Sequence, residues 1–117
     1  MILAALDDLM FTSRIRAAAS GVGADVRFAR TSDEAVALAR AEAPKLVLLD
    51  LNARRADPMV TIAAFKSDPQ LAAIPLIGFV SHVQTDLIAA ARGAGIDEVM
   101  ARSAFVTRLP DLLGKDL

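Results

Sequence analysis

What most constrains this chain is an alternation. Short, uninterrupted apolar runs take turns with longer stretches of helical period. In "KLVLLD", four apolar residues, Leu46 to Leu49, lead straight into Asp50. Such a run reads as a strand covered on both faces. "ILAAL" at residues 2–6 is another, "ADVRFAR" alternates with Val26 and Phe28 on one side, "PLIGFV" begins at Pro75, and "DEVMA" is short. Between them lie helical patterns. The first places Ile15, Ala18, Ala19 and Val22 on one face and stops near Gly21 and Gly23. The second opens with Thr31 and Glu34 at capping-box spacing and closes before Pro44. The third takes Asp57 as N-cap with Pro58 in its first position. The fourth takes Thr85 as N-cap and ends on glycine. A short last helix is expected in "LPDLLGKDL", with Pro110 in its first turn. The order βαβαβαβαβα predicts an α/β fold, a parallel sheet with helices on both faces, as a single domain over residues 1–117.

Composition narrows the function. At 117 residues the chain can enclose a core without disulfides or a structural metal. It has no cysteine and one histidine, which excludes thiolate chemistry and argues against zinc. With 13 Lys+Arg against 14 Asp+Glu, nothing suggests a nucleic-acid or membrane-surface binder. Without Trp or Tyr there is no platform for stacking bases or sugars. The apolar runs fall well short of the roughly 18 residues a membrane span needs. The amino terminus meets acid at Asp7 and Asp8 and lacks a basic leader, so a cytoplasmic protein is expected. No Gly-rich phosphate motif occurs, so no nucleotide cofactor is expected.

In open α/β sheets, sites form at the carboxyl ends of the strands. Asp7 and Asp8 follow the first run, Asp50 ends the third, Ser81 ends the fourth and Arg102 ends the fifth. If the first and third strands are neighbours, these groups share one edge. Carboxylates that converge repel unless a cation lies between them. Mg²⁺ suits that role, since it binds through one or two carboxylates and keeps several waters. The backbone carbonyl of Asn52 could add a neutral oxygen. Asp50 itself could accept a phosphoryl group as an acyl phosphate, with Ser81 and Arg102 stabilising its charge. The plainer alternatives are that Asp7 and Asp8 cap the first helix, that Ser81 caps the fourth, and that Arg102 pairs permanently with an acid. His82 is expected on the rim, and Arg54 and Arg55 in a solvated loop.

These landmarks resemble the receiver domain of bacterial two-component response regulators. They are "LDD" (Leu6 to Asp8), "LLDLN" (Leu48 to Asn52), "GFVS" (Gly78 to Ser81) and "AGIDEVMARSAF" (Ala94 to Phe105). Spacings of 42 residues from Asp8 to Asp50, 31 to Ser81 and a further 21 to Arg102 match too. The resemblance spans essentially the whole chain. It implies a flavodoxin-like (βα)5 fold with strand order 2-1-3-4-5. It implies Mg²⁺ held by Asp7, Asp8, Asp50 and the Asn52 carbonyl, and phosphorylation of Asp50. The implied partners are a sensor histidine kinase or phosphotransfer protein and a downstream protein target, with the chain a monomer or weak homodimer.

Four departures bear on the switch. Arg102 stands at the family's lysine, and Ser103 and Ala104 replace the proline after it. Val99 stands at the aromatic switch position. The loop "LNARRADP" lacks the family's Met-Pro pair and glycine. The expected function is a stand-alone receiver that takes a phosphoryl group on Asp50 and signals through protein contacts. The alternative is a pseudo-receiver, the same fold used as a phosphorylation-independent interaction module. An enzyme is not expected. A small phosphohydrolase acting through Asp50 would want a second acid two residues on, where Asn52 stands.

Overall fold

The computed structural model describes residues 1–82 and 84–117. Its elements follow the expected alternation: β1 (Ile2–Ala5), α1 (Leu9–Val22), β2 (Val26–Ala29), α2 (Ser32–Glu42), β3 (Leu46–Asp50), α3 (Pro58–Ser67), β4 (Leu76–Val80), α4 (Thr85–Ala94), β5 (Glu98–Ala101) and α5 (Arg102–Gly114). All pairings are parallel, in the order β2-β1-β3-β4-β5. This is the doubly wound, flavodoxin-like arrangement, with β3 central and beside β1.

Strand parity divides the core in two. Leu3, Ala5, Val47, Leu49, Leu76 and Val80 face α2, α3 and α4, where they meet Ala35, Ile62, Phe65 and Ala91. Ile2, Ala4, Leu46, Leu48, Ile77 and Phe79 face α1 and α5, where they meet Phe11, Ile15, Phe105 and Leu109. Both faces of β1, β3 and β4 are buried, which is why those strands read as unbroken apolar runs. Gly78 of β4 lies under crossing side chains. A Cβ there would come within 2.7 Å of Ile96 and 3.0 Å of Leu51.

The caps explain most helix boundaries. Asp8 accepts from the Phe11 N–H and starts α1, Thr31 accepts from Glu34 and starts α2, and Asp57 accepts from Met59 and Val60 with Pro58 in the first turn of α3. Gly23 and Gly95 close α1 and α4 in the left-handed region. Three expectations are corrected. Thr85 is the first residue of α4, and the N-cap is Gln84, whose side chain makes no capping bond. Arg102 opens α5 and does not end β5. The last helix is not a short turn beginning at Pro110: it runs 13 residues with Pro110 inside it. Phe105, Leu109, Leu112 and Leu113 make a buried stripe along α5, and that burial outweighs the proline's missing N–H.

Candidate functional site

Asp50 ends β3 on the face shared with α1 and α5, in register with Phe79 of β4. It is 3% exposed, one of the few polar side chains buried in the core. Its Oδ1 accepts from the Asn52 N–H at 2.9 Å. Its Oδ2 faces the Arg102 guanidinium at 3.8 Å. Burial pushes the Asp50 carboxyl above the usual carboxylate range, and Asp7 and Asp8 push the same way. The Asn52 amide and Arg102 oppose that shift without cancelling it.

The loop after β1 delivers two acids to different work. Asp8 caps α1 with Oδ1, while Oδ2 lies 3.9 Å from Arg102. Asp7 turns to the β3–α3 loop, where its Oδ2 accepts from the backbone N–H groups of Arg54 and Arg55 at 3.1 and 2.8 Å. Asp8 and Asp50 therefore meet at one guanidinium, and Asp7 braces the loop beside them. Among the described residues, no three acids or imidazoles close on a single point. What the chain offers a hard cation is the carboxylate pair Asp8 and Asp50. The Asn52 carbonyl, which accepts no hydrogen bond among the described residues, can join them. That oxygen set fits Mg²⁺, which binds through one or two carboxylates and retains water.

Across the site, the Asn52 side chain is a hub. Its Oδ1 accepts from the Ser81 N–H at 2.8 Å and from Ser81 Oγ at 3.1 Å, and its Nδ2 donates to Gln84 Oε1. Ser81 thus lies at the site's edge, just beyond β4, and does not cap α4. His82 is exposed on the rim, with Nδ1 3.2 Å from Ser81 Oγ. Arg102 is held from below. Its Cζ lies 4.6 Å from the Phe11 ring centroid and 5.9 Å from that of Phe79, in an aromatic cluster that includes Phe105. Its buried Nε has no hydrogen-bond partner among the described residues. Arg54 and Arg55 are exposed, and with Arg30, Asp7 and Leu9 they line an open cavity of about 360 Å³ next to the acids.

Two features escape sequence reasoning. Besides the backbone oxygen expected of it, Asn52 has an amide side chain that organises the Ser81 side. Phe11 reads in sequence as an ordinary core residue. Only its place one helical turn after the capping Asp8 hints that it lies beneath the acids.

No protein-family model and no curated protein matches the sequence. Solved structures do. The phosphorylated cyanobacterial phytochrome response regulator RcpA is 28% identical over 97% of this chain and 88% of its own, with a TM-score of 0.80. The chemotaxis protein CheY4 of Vibrio cholerae is 16% identical over 99% of this chain and 97% of its own, with a TM-score of 0.84. The receiver domain of the sensor histidine kinase PA1611 from Pseudomonas aeruginosa, with a magnesium ion in its active-site cleft, is 17% identical over 98% and 94%, with a TM-score of 0.84.

Proposed function

We propose that this chain, a CheY-like receiver domain by its fold, takes a phosphoryl group on Asp50 and signals by changing its contacts with a partner protein. The observation that carries the reading is the state of Asp50: a buried carboxylate at the carboxyl end of the central strand, one oxygen held by Asn52 and the other facing the Arg102 guanidinium. Burial makes that oxygen more basic, which favours nucleophilic attack. In the step, Asp50 Oδ2 attacks phosphorus, an acyl phosphate forms, and the bond to the donor breaks with its electron pair leaving on the donor. A sensor histidine kinase or a phosphotransfer protein is the donor that the likeness to receiver domains suggests.

Asp8, Asp50 and the Asn52 carbonyl would hold Mg²⁺, which when bound neutralises the acid pair and the phosphoryl oxygens. Arg102 supplies a fixed positive charge facing Asp50. Ser81 can reach the new phosphoryl group once its hydroxyl leaves Asn52 Oδ1. Asp7 holds the loop that bounds the site. With Asn52 where a phosphohydrolase would want its second acid, the phosphoacceptor is the better fit to these residues.

A second reading has its own observation. With Arg102 already facing Asp50 as a counter-charge and Ser81 already bound to Asn52, the acid and the hydroxyl are both engaged before any phosphate arrives. This favours a pseudo-receiver that binds its partner without phosphorylation. Incubation with Mg²⁺ and acetyl phosphate, followed by intact mass spectrometry, separates the two. A single phosphoryl adduct, absent from Asp50→Ala, is expected. An unmodified wild-type chain that also shows no Mg²⁺-dependent thermal shift would favour the pseudo-receiver instead.

A further inference from the structure

The placement of Arg102 has a physical explanation that its ion pairs do not provide. Charge-assisted hydrogen bonds run about 2.7–2.9 Å. Arg102 Nη2 stands 3.8 Å from Asp50 and 3.9 Å from Asp8, beyond hydrogen-bonding reach of either. Its Nε is buried without an acceptor among the described residues. The guanidinium instead lies over the Phe11 ring, 4.6 Å from Cζ and well within the roughly 6 Å over which a cation is attracted to an aromatic face, with Phe79 at the edge of that range at 5.9 Å. Phe11 is itself fixed: it is 6% exposed, and its N–H is bonded to Asp8. The same three residues, with Met10 and Arg14, line a cleft of about 280 Å³.

We propose that Arg102, positioned by Phe11, is a resident counter-ion for the Asp8–Asp50 pair, so that a divalent cation binds this pair only in competition with the guanidinium. Two like charges cannot share the pair cheaply, and an arginine does not escape by losing its proton. Phe11 is thus a positioning residue that acts through Arg102. It sets how firmly the guanidinium is held and hence how readily the acids take up metal. The proposal rests on the functional reading above only in treating Asp8 and Asp50 as cation ligands.

The test is Mg²⁺ titration by calorimetry at constant ionic strength, repeated as Mg²⁺-dependent thermal shift. Wild type is compared with Arg102→Gln, Phe11→Leu and Phe11→Tyr. Arg102→Gln removes the charge and should bind Mg²⁺ at least about tenfold more tightly than wild type. Phe11→Leu keeps the charge and loses the ring, and should fall between the two. Phe11→Tyr keeps the ring face and should return to the wild-type affinity, which a purely structural role for Phe11 would not require. If Phe11→Leu does not fold, Phe11→Met serves in its place. Equal Mg²⁺ affinity in wild type and Arg102→Gln, including no binding to either, overturns the proposal.

Acetyl phosphate labelling of the same proteins keeps the two ideas apart. Tighter Mg²⁺ binding in Arg102→Gln without any adduct in either protein upholds the counter-ion and defeats the phosphoacceptor. An adduct on both with equal Mg²⁺ affinity does the reverse.

Discussion

Asp50 is a liability that the fold retains. Its carboxyl binds a proton more tightly in the folded state than in the unfolded chain, because burial disfavours the charge. For a raised carboxyl, the contribution to stability is most favourable below the unfolded pKa and is lost as pH rises through the folded one. Holding Asp50 ionised at neutral pH therefore costs stability. Asp50→Asn keeps the shape and removes the charge, and should stabilise the protein at pH 7.5 by on the order of 1 kcal/mol, or a few degrees in Tm. The advantage should shrink as pH falls from the raised value of Asp50 toward the ordinary carboxylate range. Melting curves of the two proteins from about pH 4 to 8 decide it, and a gap that does not change with pH would mean desolvation is not the cause. At this scale the sequence was legible where chemistry depends on chain position. A polar residue at or just past the end of a buried run has to emerge at the sheet edge, so Asp7, Asp8, Asp50 and Ser81 could be placed. The hub role of Asn52 could not, because it depends on Ser81 and Gln84 arriving from 29 and 32 residues away.

At the scale of elements, α5 is the clearest departure. Pro110 falls inside the helix, where its ring leaves the carbonyl four residues earlier without an N–H partner. If α5 is continuous from Arg102 to Gly114, Pro110→Ala at this exposed position should stabilise the protein by up to about 3 kcal/mol. If a helix began at Pro110, the same change would be close to neutral, since proline is well tolerated in a first turn. Urea denaturation of the variant distinguishes the two. In the sheet, the bare backbone of Gly78 admits Ile96 and Leu51. Gly78→Ala should destabilise by about 1–3 kcal/mol through overpacking, and an unchanged urea midpoint would show that those side chains shift without cost. The glycine within an apolar strand signalled close packing in advance. The start of α5 did not, because in "MARSAFVTRLP" proline is a stronger local signal than the Phe105 and Leu109 stripe, which counts only once β4 and α1 lie opposite.

Across the whole molecule, the two ends of the strands do different work. The carboxyl edge gathers the acids and Arg102. The amino edge is closed by the C-terminal tail, where Asp116 pairs with the Met1 amine and accepts from the Asp25 N–H at 2.8 Å. Its carbonyl also accepts from Lys45 Nζ at 3.0 Å, so the tail reaches the starts of β1, β2 and β3 together. The Met1 amine and the Asp25 amide hold the Asp116 carboxyl below the usual carboxylate range. A depressed carboxyl contributes stability above its unfolded pKa and loses it as pH falls through the folded one. Asp116→Ala should therefore lower Tm by a few degrees at pH 7, with the loss fading in acid, the opposite trend to Asp50→Asn. Melting both variants over one pH series checks the pair, and a pH-independent loss in Asp116→Ala would point to lost hydrogen bonds alone. No helix among the described residues is long and apolar enough to cross a membrane. By itself the sequence determined the alternation of strands and helices, and with it a parallel sheet carrying acids at its carboxyl edge, because period and strand ends are local properties of a chain. Only the tertiary structure decided that Asp7 braces a loop while Asp8 and Asp50 share one arginine, and that this arginine rests on Phe11. Those facts depend on distances between side chains far apart in sequence, and such distances exist only once the sheet has ordered its strands.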